Sequence, residues 1–411
     1  MIPVLRKASP TRVAPTYEVA SIKTSDWPRK HTEKHGNNSF KAFIFRVIPC
    51  ASVARIFDNC HSPQPWTCRL LSVLLLTVAA LSSTALQAEK IHVLKFATLA
   101  PAGTTWVRLL HDWAHEVRKE SRGRLIFKIY PGGVQGDEPE VLKKIRFGQL
   151  QGGAFTGYGI GRIYSPTRVL ELPFLFNNIE EIDYVRNLFM PEIEQGYRDN
   201  GYELLGWMEV GFVYFFSKVP IDSLDDLKER RIWNWQGDPL GQAFFEASGL
   251  SPVPLSIIDV YTSLSTGLID TVYAPPLGAI AMQWFTKTQY ITNVPMANGI
   301  GSLVVSRRFF QNLPQDLQKI LKRTGAATGE LLVTATRKDN IDSMKTLQNR
   351  GMIMVEATES LEGEALQEIR IRAGKNLMDN GYIPETTINR VNQWLQDFRN
   401  KEAAEAADAA D

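Results

Sequence analysis

The sequence predicts an α/β fold with two lobes, and three observations support this prediction. From residue 91 onward, β-rich segments alternate with amphipathic helical segments, which is typical of βαβ units and a mixed, mostly parallel sheet. The stretch Leu204 to Phe216 is long and apolar and contains glycines, which suits a strand that crosses between lobes. Residues 314–349 keep a helical pattern without an internal proline, so this helix is long enough to brace both lobes.

The first elements follow from residue spacing. His92–Thr98 and Leu125–Tyr130 have strand patterns, and Asp137 opens a helix that Gly148 closes. Between the two strands, four apolar residues recur at helical spacing: Trp106, Leu110, Trp113 and Val117. Residues 154–155 form a short strand, which completes the first βαβ series.

The second half of the chain repeats this alternation. Residues 222–232 start a second βα series, and Ser302–Ser306 reads as a strand that crosses back. Residues 361–378 and 386–398 have helical patterns, and the Ala- and Glu-rich residues 401–411 predict a frayed acidic tail.

These patterns predict where the two lobes begin and end. We expect lobe I to comprise residues 89–211 and 301–335. Lobe II is expected to comprise residues 212–300 and 336–400.

Residues 1–88 look like a basic extension followed by a signal peptide at about 69–88. Arg69 precedes the apolar run 70–81, and small residues follow, so we expect cleavage after Ala85 or Ala88. The alternative is a membrane anchor, but the run is shorter than the ~20 apolar residues of a span. The extension upstream of the signal is explained by a start codon assigned too early or by an extended leader.

Charge and cysteine content differ between this leader and the remainder. Residues 1–88 carry 11 Lys and Arg against 4 Asp and Glu, so the whole-chain net charge of +2 leaves −5 for residues 89–411. This mildly acidic balance gives no support to nucleic-acid binding. All three cysteines also precede residue 89, which excludes thiolate metal sites and cysteine nucleophiles from the mature protein.

Two motifs could indicate a metal or a nucleotide site. His111 and His115 have the i,i+4 spacing of metal ligands, but beyond the leader only His92 remains as a third histidine, so we expect both on an exposed helix face. Gly157-x-Gly159-x-Gly161 departs from the dinucleotide fingerprint and predicts a loop that lets the backbone approach a ligand. No nucleophile elbow is present in the sequence, so we expect no enzyme, cofactor or metal.

Several local motifs occur together in a specific order, and the stretch 226–276 is the most informative. One helix there has Val260, Leu264 and Leu268 on one face, and Ile269 begins the next strand. The motifs are Leu94-Lys95-Phe96-Ala97 with Trp106, Tyr130-Pro131-Gly132-Gly133 with Gly136-Asp137-Glu138, Leu170-Glu171-Leu172-Pro173-Phe174-Leu175-Phe176, Asp225-Asp226-Leu227-Lys228, Pro252-Val253-Pro254, Val260-Tyr261-Thr262-Ser263-Leu264 with Gly267-Leu268-Ile269-Asp270, and Leu313-Pro314. With this order and spacing, residues 91–400 resemble the substrate-binding subunit of tripartite ATP-independent periplasmic (TRAP) transporters, dicarboxylate-binding type.

The resemblance implies a two-lobed periplasmic binding protein fold that closes around one small-molecule ligand. It also implies delivery of that ligand to integral-membrane TRAP permease subunits, in the periplasm of a Gram-negative bacterium. A monomer or a dimer is compatible with it. An alternative is a ligand shuttle or sensor that passes its ligand to a periplasmic accessory protein and meets no permease.

The sequence departs from the family pattern where the family binds its ligand carboxylate. Trp233 stands where the family has the arginine that clamps this group, and Val213 stands where a second arginine is common. Ala274 replaces the asparagine of the family's Glu-Asn-Pro motif. These departures imply a ligand that is largely apolar or aromatic.

We expect the ligand to contact a set of aromatic and small residues. The candidate binding residues are Trp106, Phe155, Thr156, Tyr158, Phe212, Trp233, Asn234, Trp235, Tyr273, Ala274 and Trp284. The alternative is a conventional organic acid, with Arg231, Arg162 or Arg168 taking over the carboxylate clamp.

Overall fold

The computed structural model describes residues 90–358, 361 and 363–408. The predicted leader, its signal peptide and its cleavage sites lie outside these residues. Within the described chain, no helix has the length and apolar character that a membrane crossing requires.

The first part of the described chain alternates strand and helix, as predicted. Its elements are β1 (His92–Thr98), α1 (Thr105–Glu120), β2 (Leu125–Tyr130), α2 (Glu138–Arg146), β3 (Gly152–Thr156), α3 (Gly157–Ile160), a 3₁₀ segment (Ser165–Glu171), α4 (Ile179–Asp199) and β4 (Tyr202–Ser217). Side-chain caps fix the helix starts. Thr104 Oγ1 accepts from the Val107 N–H, and Asp137 accepts from the Glu138 N–H.

The second part contains shorter elements and then three long helices. Its elements are α5 (Leu224–Lys228), β5 (Trp233–Trp235), α6 (Pro239–Ser248), β6 (Val253–Leu255), α7 (Val260–Thr266), β7 (Thr271–Ala274), α8 (Pro276–Ala281), β8 (Tyr290–Thr292), β9 (Ala297–Ser306), α9 (Arg307–Gln311), α10 (Gln315–Asn349), β10 (Ile353–Val355), α11 (Gly363–Asp379) and α12 (Glu385–Asp408).

One mixed sheet runs through both predicted lobes, which are called the first half (lobe I) and the second half (lobe II) from here on. Its strand order is β10-β8-β4-β9-β3-β1-β2, with β7 also paired to β4. Strands β4 and β9 pair antiparallel over almost their whole length and belong to both halves, as the prediction of crossing strands requires. In the described chain, four strand pairs are parallel and four are antiparallel, and β5 and β6 form a separate two-stranded parallel sheet.

The register of the two crossing strands shifts twice, between Leu204 and Gly206 and between Glu209 and Gly211. At the second shift Gly211 has a φ of +98°, which favours glycine. Asn340 on α10 lies against this irregularity. Its Nδ2 donates to the Val210 carbonyl at 2.9 Å, and its Oδ1 accepts from the Leu277 N–H at 3.0 Å. One asparagine thus ties the long helix to β4 and to α8.

The structure corrects three sequence predictions. The predicted loop at Gly157-x-Gly159-x-Gly161 begins with the short helix α3. Leu268 lies beyond the end of α7 and is exposed, because Gly267 adopts a left-handed conformation and ends the helix. The predicted frayed tail is helical as far as Asp408. The last helix, α12, which the predicted bounds assign to lobe II, contacts α4 of predicted lobe I.

The long helix α10 spans 35 residues, or about 52 Å at 1.5 Å per residue, and packs against both halves. Trp113 Nε1 donates to Thr324 Oγ1 at 2.9 Å, and Trp106 Nε1 donates to Thr336 Oγ1 at 2.8 Å. Farther along, Leu347 is buried in a cluster with residues of the second half. The helix therefore braces both halves, as predicted.

Glycines bring this helix unusually close to β4. A Cβ atom at Gly329 would lie 2.5 Å from the Trp207 carbonyl oxygen, and one at Gly325 would lie 2.9 Å from the Leu205 carbonyl oxygen. On the strand, a Cβ at Gly206 would lie 2.4 Å from the Gly325 carbonyl oxygen. Because these neighbours are backbone atoms, a methyl group at any of the three positions would push the helix away from the strand.

We expect Gly329→Ala to destabilise the protein by about 1–3 kcal/mol, because the methyl group has no space against β4. Gly374→Ala on α11 is the matched control, since its Cβ would meet nothing nearer than 4.0 Å. There the better helix propensity of alanine should leave stability unchanged or raise it by up to ~1 kcal/mol. Urea unfolding of both variants measures the difference, and equal effects would contradict the close-approach argument.

Candidate ligand-binding site

A cavity of about 220 Å³ opens where the two halves meet, and its walls are mostly apolar. Such a volume suits a small molecule. Nine of the eleven predicted binding residues lie on its wall: Trp106, Phe155, Thr156, Tyr158, Trp233, Trp235, Tyr273, Ala274 and Trp284. Residues from distant parts of the sequence thus meet around one space, and their contact with a ligand stays a prediction.

The other two predicted residues, Phe212 and Asn234, do not line the cavity. Strand alternation explains both cases, because neighbouring residues on a strand point to opposite faces. Val213 lines the cavity, whereas Phe212 packs against the core of the first half. Asn234, between two wall tryptophans, points away toward Gly241, and its Oδ1 accepts from the Tyr273 hydroxyl at 3.3 Å.

The aromatic part of the wall is tightly ordered. The Trp233 ring stacks on Tyr273 with centroids 4.8 Å apart and meets Trp284 edge-on at 5.3 Å. Its Nε1 donates to the Leu255 carbonyl at 3.0 Å, so its polar atom is satisfied within the protein. Trp235 stacks on Tyr158 at 4.5 Å. Where the family resemblance implies a clamping arginine, this chain therefore has a packed indole with no free donor.

One buried arginine, Arg168, also lines the cavity, and two carboxylates already hold it. Its Nη1 and Nη2 donate to the two carboxylate oxygens of Asp238 at 2.8 and 3.0 Å. Its Nε lies 2.6 Å from Glu171 Oε2, a charge contact outside hydrogen-bond geometry. Burial acts to lower the pKa of Arg168, but the carboxylates of Asp238 and Glu171 hold it well above its ordinary value. Burial also raises the pKa of Glu171, against the pull of Arg168.

The three glycines of the Gly157-x-Gly159-x-Gly161 motif make room for buried ionisable groups. A Cβ at Gly157 would overlap the Glu171 carboxylate, and one at Gly161 would lie 2.8 Å from Cγ of Arg168. A Cβ at Gly159 would lie 2.5 Å from Glu138 Oε2. The motif was predicted to let the backbone approach a ligand, and in the structure it lets the backbone approach these charged side chains.

Several hydrogen bonds join the two halves beside the cavity. Asp137 Oδ2 accepts from Trp235 Nε1 at 2.9 Å and from Ser256 Oγ at 2.5 Å. The Tyr158 hydroxyl donates to the Gln236 carbonyl at 2.7 Å. These contacts, with the pair of Arg168 and Asp238, hold the halves together in this structure.

The other two arginines considered as a relocated clamp do not reach the cavity wall. Arg231 is largely exposed and pairs with Asp270 at 3.1 Å. Arg162 donates to the Gly237 carbonyl and lies over the Tyr158 ring, 4.3 Å from its centroid. Among the described residues, Arg168 is thus the one arginine on the wall.

The predicted histidine pair is exposed on α1, as expected for surface residues. Within the described part of the chain, no three His, Cys, Asp or Glu side chains are grouped in a way that could hold a metal ion.

Besides Glu171, sequence reasoning missed a second buried carboxyl on the wall, that of Glu138. Its Oε1 accepts from the Thr156 N–H at 2.7 Å, and its Oε2 lies 3.0 Å from Thr156 Oγ1. Burial raises the pKa of Glu138 to about 8, so the carboxyl is mostly neutral at pH 7. An acidic residue in the first turn of a helix suits the helix dipole at an exposed position, so the sequence around Glu138 contained no signal of its burial.

We expect the stability of the protein to fall as pH rises from about 5 to 8, because Glu138 must keep its proton in the folded state but loses it in the unfolded state. A rise of its pKa from 4.5 to about 8 corresponds to on the order of 4 kcal/mol over this interval. Urea unfolding at several pH values measures it. Glu138→Gln should flatten this dependence, whereas Glu140→Gln, an exposed position on the same helix, should not; equal slopes in all three proteins would refute the assignment.

The family model DctP, "Bacterial extracellular solute-binding protein, family 7", matches residues 96–373. YiiZ of Salmonella typhimurium, an uncharacterized protein, is 30% identical over 167 residues, which are 39% of this chain and 50% of YiiZ. The chain thus spans about half the length of this relative. The sialic acid-binding periplasmic protein SiaP of Vibrio cholerae is 22% identical over 297 residues, which are 70% of this chain and 88% of SiaP.

Solved structures share the fold. The sugar acid binding protein DctPAm of Advenella mimigardefordensis, in complex with galactonate, has a TM-score of 0.70 at 19% identity and covers 75% of this chain and 99% of its own. DctP7 of Bordetella pertussis, an extracytoplasmic solute receptor binding pyroglutamic acid, has a TM-score of 0.67 at 18% identity, covering 74% and 99%. With most of the described chain matched by the family model, this protein belongs to the bacterial extracellular solute-binding protein family 7, the DctP family of TRAP transporters.

Proposed function

We propose that this protein acts outside the cytoplasm, where it binds a small molecule in the cavity between its two halves. It then delivers this molecule to the membrane subunits of a TRAP-type permease. Family membership supports the transport role, and the cavity of about 220 Å³ at the junction of the halves supports the place of binding. Binding and release then require only opening and closure of the halves, and the proposal involves no catalytic step.

We propose further that the ligand has a neutral, largely apolar or aromatic body. The single observation that carries this step is the set of contacts made by Arg168. Its Nη1 and Nη2 already donate to Asp238, and its Nε faces Glu171. A ligand carboxylate would therefore meet a wall on which one cation stands beside two carboxyl groups. The remaining wall is built from rings such as Trp233 and Tyr273, which favour apolar contact.

A second candidate is an organic acid, and the ligands of similar proteins favour it. SiaP is named for sialic acid, DctPAm was solved with galactonate, and DctP7 was solved with pyroglutamic acid. Under this alternative, Arg168 is the residue that would receive the acid group, and the acid would have to share it with Asp238 and Glu171.

Native mass spectrometry of protein isolated from the periplasm, followed by identification of the released compound, decides between these candidates. We expect a neutral, largely apolar compound, and we expect galactonate and pyroglutamate to leave the melting temperature unchanged. Recovery of a bound sugar acid or another carboxylate would establish the organic-acid alternative. The same preparation gives the mature N-terminus by sequencing, with the sequence predicting a start at Leu86 or Glu89.

Removing an aromatic wall residue should weaken ligand binding without a general loss of fold. Trp284→Ala deletes a ring on the cavity wall, so the dissociation constant of the recovered compound should rise at least tenfold. Trp394→Ala is the control, because this ring packs against Phe189 in the first half and does not line the cavity. Calorimetric titration well below both melting temperatures measures the effect, and an equal loss in both variants would speak against the cavity as the binding site.

A further inference from the structure

The pair formed by Arg168 and Asp238 has the geometry with which a protein arginine binds a free carboxylate. Two parallel hydrogen bonds of 2.8 and 3.0 Å join Nη1 and Nη2 to the two oxygens of one carboxylate. Both side chains are almost completely buried, and both line the cavity. The carboxylate comes from the protein itself, so the place of an acid ligand on this guanidinium is already taken.

Asp238 is held in this position by a second interaction. It is the N-cap of α6, where its Oδ1 accepts from the Leu240 N–H at 3.3 Å. Arg168 lies 70 residues earlier, in the 3₁₀ segment of the first half, where Gly161 packs against its side chain. The two partners therefore come from distant parts of the chain, and each also has a local contact, Asp238 with the Leu240 N–H and Arg168 with Gly161.

We propose that Asp238 is a specificity-determining residue that excludes acid ligands by acting as the protein's own carboxylate on Arg168. An acid that reached Arg168 would have to displace Asp238 and leave its buried charge without a cation, which is strongly unfavourable. A neutral ligand can fill the same cavity with the pair intact. This inference rests on the proposed binding function and assigns its selectivity to one residue.

The test replaces the carboxylate and leaves the guanidinium in place. Asp238→Asn keeps the side-chain shape, and Asp238→Ser keeps a helix-capping hydroxyl for α6 in case the asparagine variant folds poorly. Binding is measured by calorimetry with a panel of aromatic and aliphatic acids, each paired with its amide, for example phenylacetate with phenylacetamide. The members of a pair differ mainly in charge, so each comparison isolates the effect of the acid group.

We expect the wild type to prefer the amide in each pair that binds. A folded Asp238 variant should bind the acid at least tenfold more tightly than the wild type does, with the amide changed by less than threefold. Asp137→Asn is the control, because it removes a buried carboxylate between the same halves without contacting Arg168. It should give no gain for acids. The double variant Arg168→Gln/Asp238→Asn should lose the acquired acid binding.

Two results would overturn this inference, and they differ in what they mean for the proposed ligand. If the wild type prefers amides but neither Asp238 variant gains acid binding, the role of Asp238 is wrong and the neutral-ligand proposal stands. If the wild type already binds acids as tightly as the variants do, both the role of Asp238 and the neutral-ligand proposal are wrong.

Discussion

A single guanidinium, buried between the carboxyl groups of Asp238 and Glu171, is the interaction on which the cavity depends. Removing one partner of such a buried group leaves an uncompensated charge and costs far more than an exposed ion pair contributes. The neighbouring backbone leaves space for this buried group of side chains. Gly157 and Gly161 leave room for Glu171 and Arg168, so the course of the backbone here follows from the space that these charged side chains occupy.

The frame of the protein, meaning the packing of α10 on β4, and the cavity wall are formed by different kinds of residue. Small residues specify the frame, because Gly325 and Gly329 let α10 lie against the backbone of β4. Large aromatic residues specify the wall, because Trp233 and Tyr273 stack on each other and fill the space between strands. Wall residues can thus change while the packing of α10 on β4 stays the same, and the fold itself is shared with a solved structure at 19% identity.

Periodicity predicted the elements of this fold well, because buried faces repeat every two residues in strands and at helical spacing in helices. It placed β4 and α10, whereas the candidate wall residues came from the family resemblance and from the aromatic residues near its ligand positions. Errors arose where one residue decides the outcome against the local pattern. Gly267 ended a helix before Leu268. Asn234 is a different case, because strand alternation itself turns it away from the face of Trp233 and Trp235. The buried state of Glu138 depends on contacts between distant segments, which no local pattern contains.

The irregularity of β4 at Gly211 has a mechanical consequence. Toward the N-terminus from it, glycine contacts fix the strand to α10, and beyond it the strand pairs with β7 and β8 of the second half. Asn340 joins three elements at this point. Because the two segments of β4 meet at this irregularity, a change in its backbone angles would move residues of the second half in proportion to their distance from Gly211.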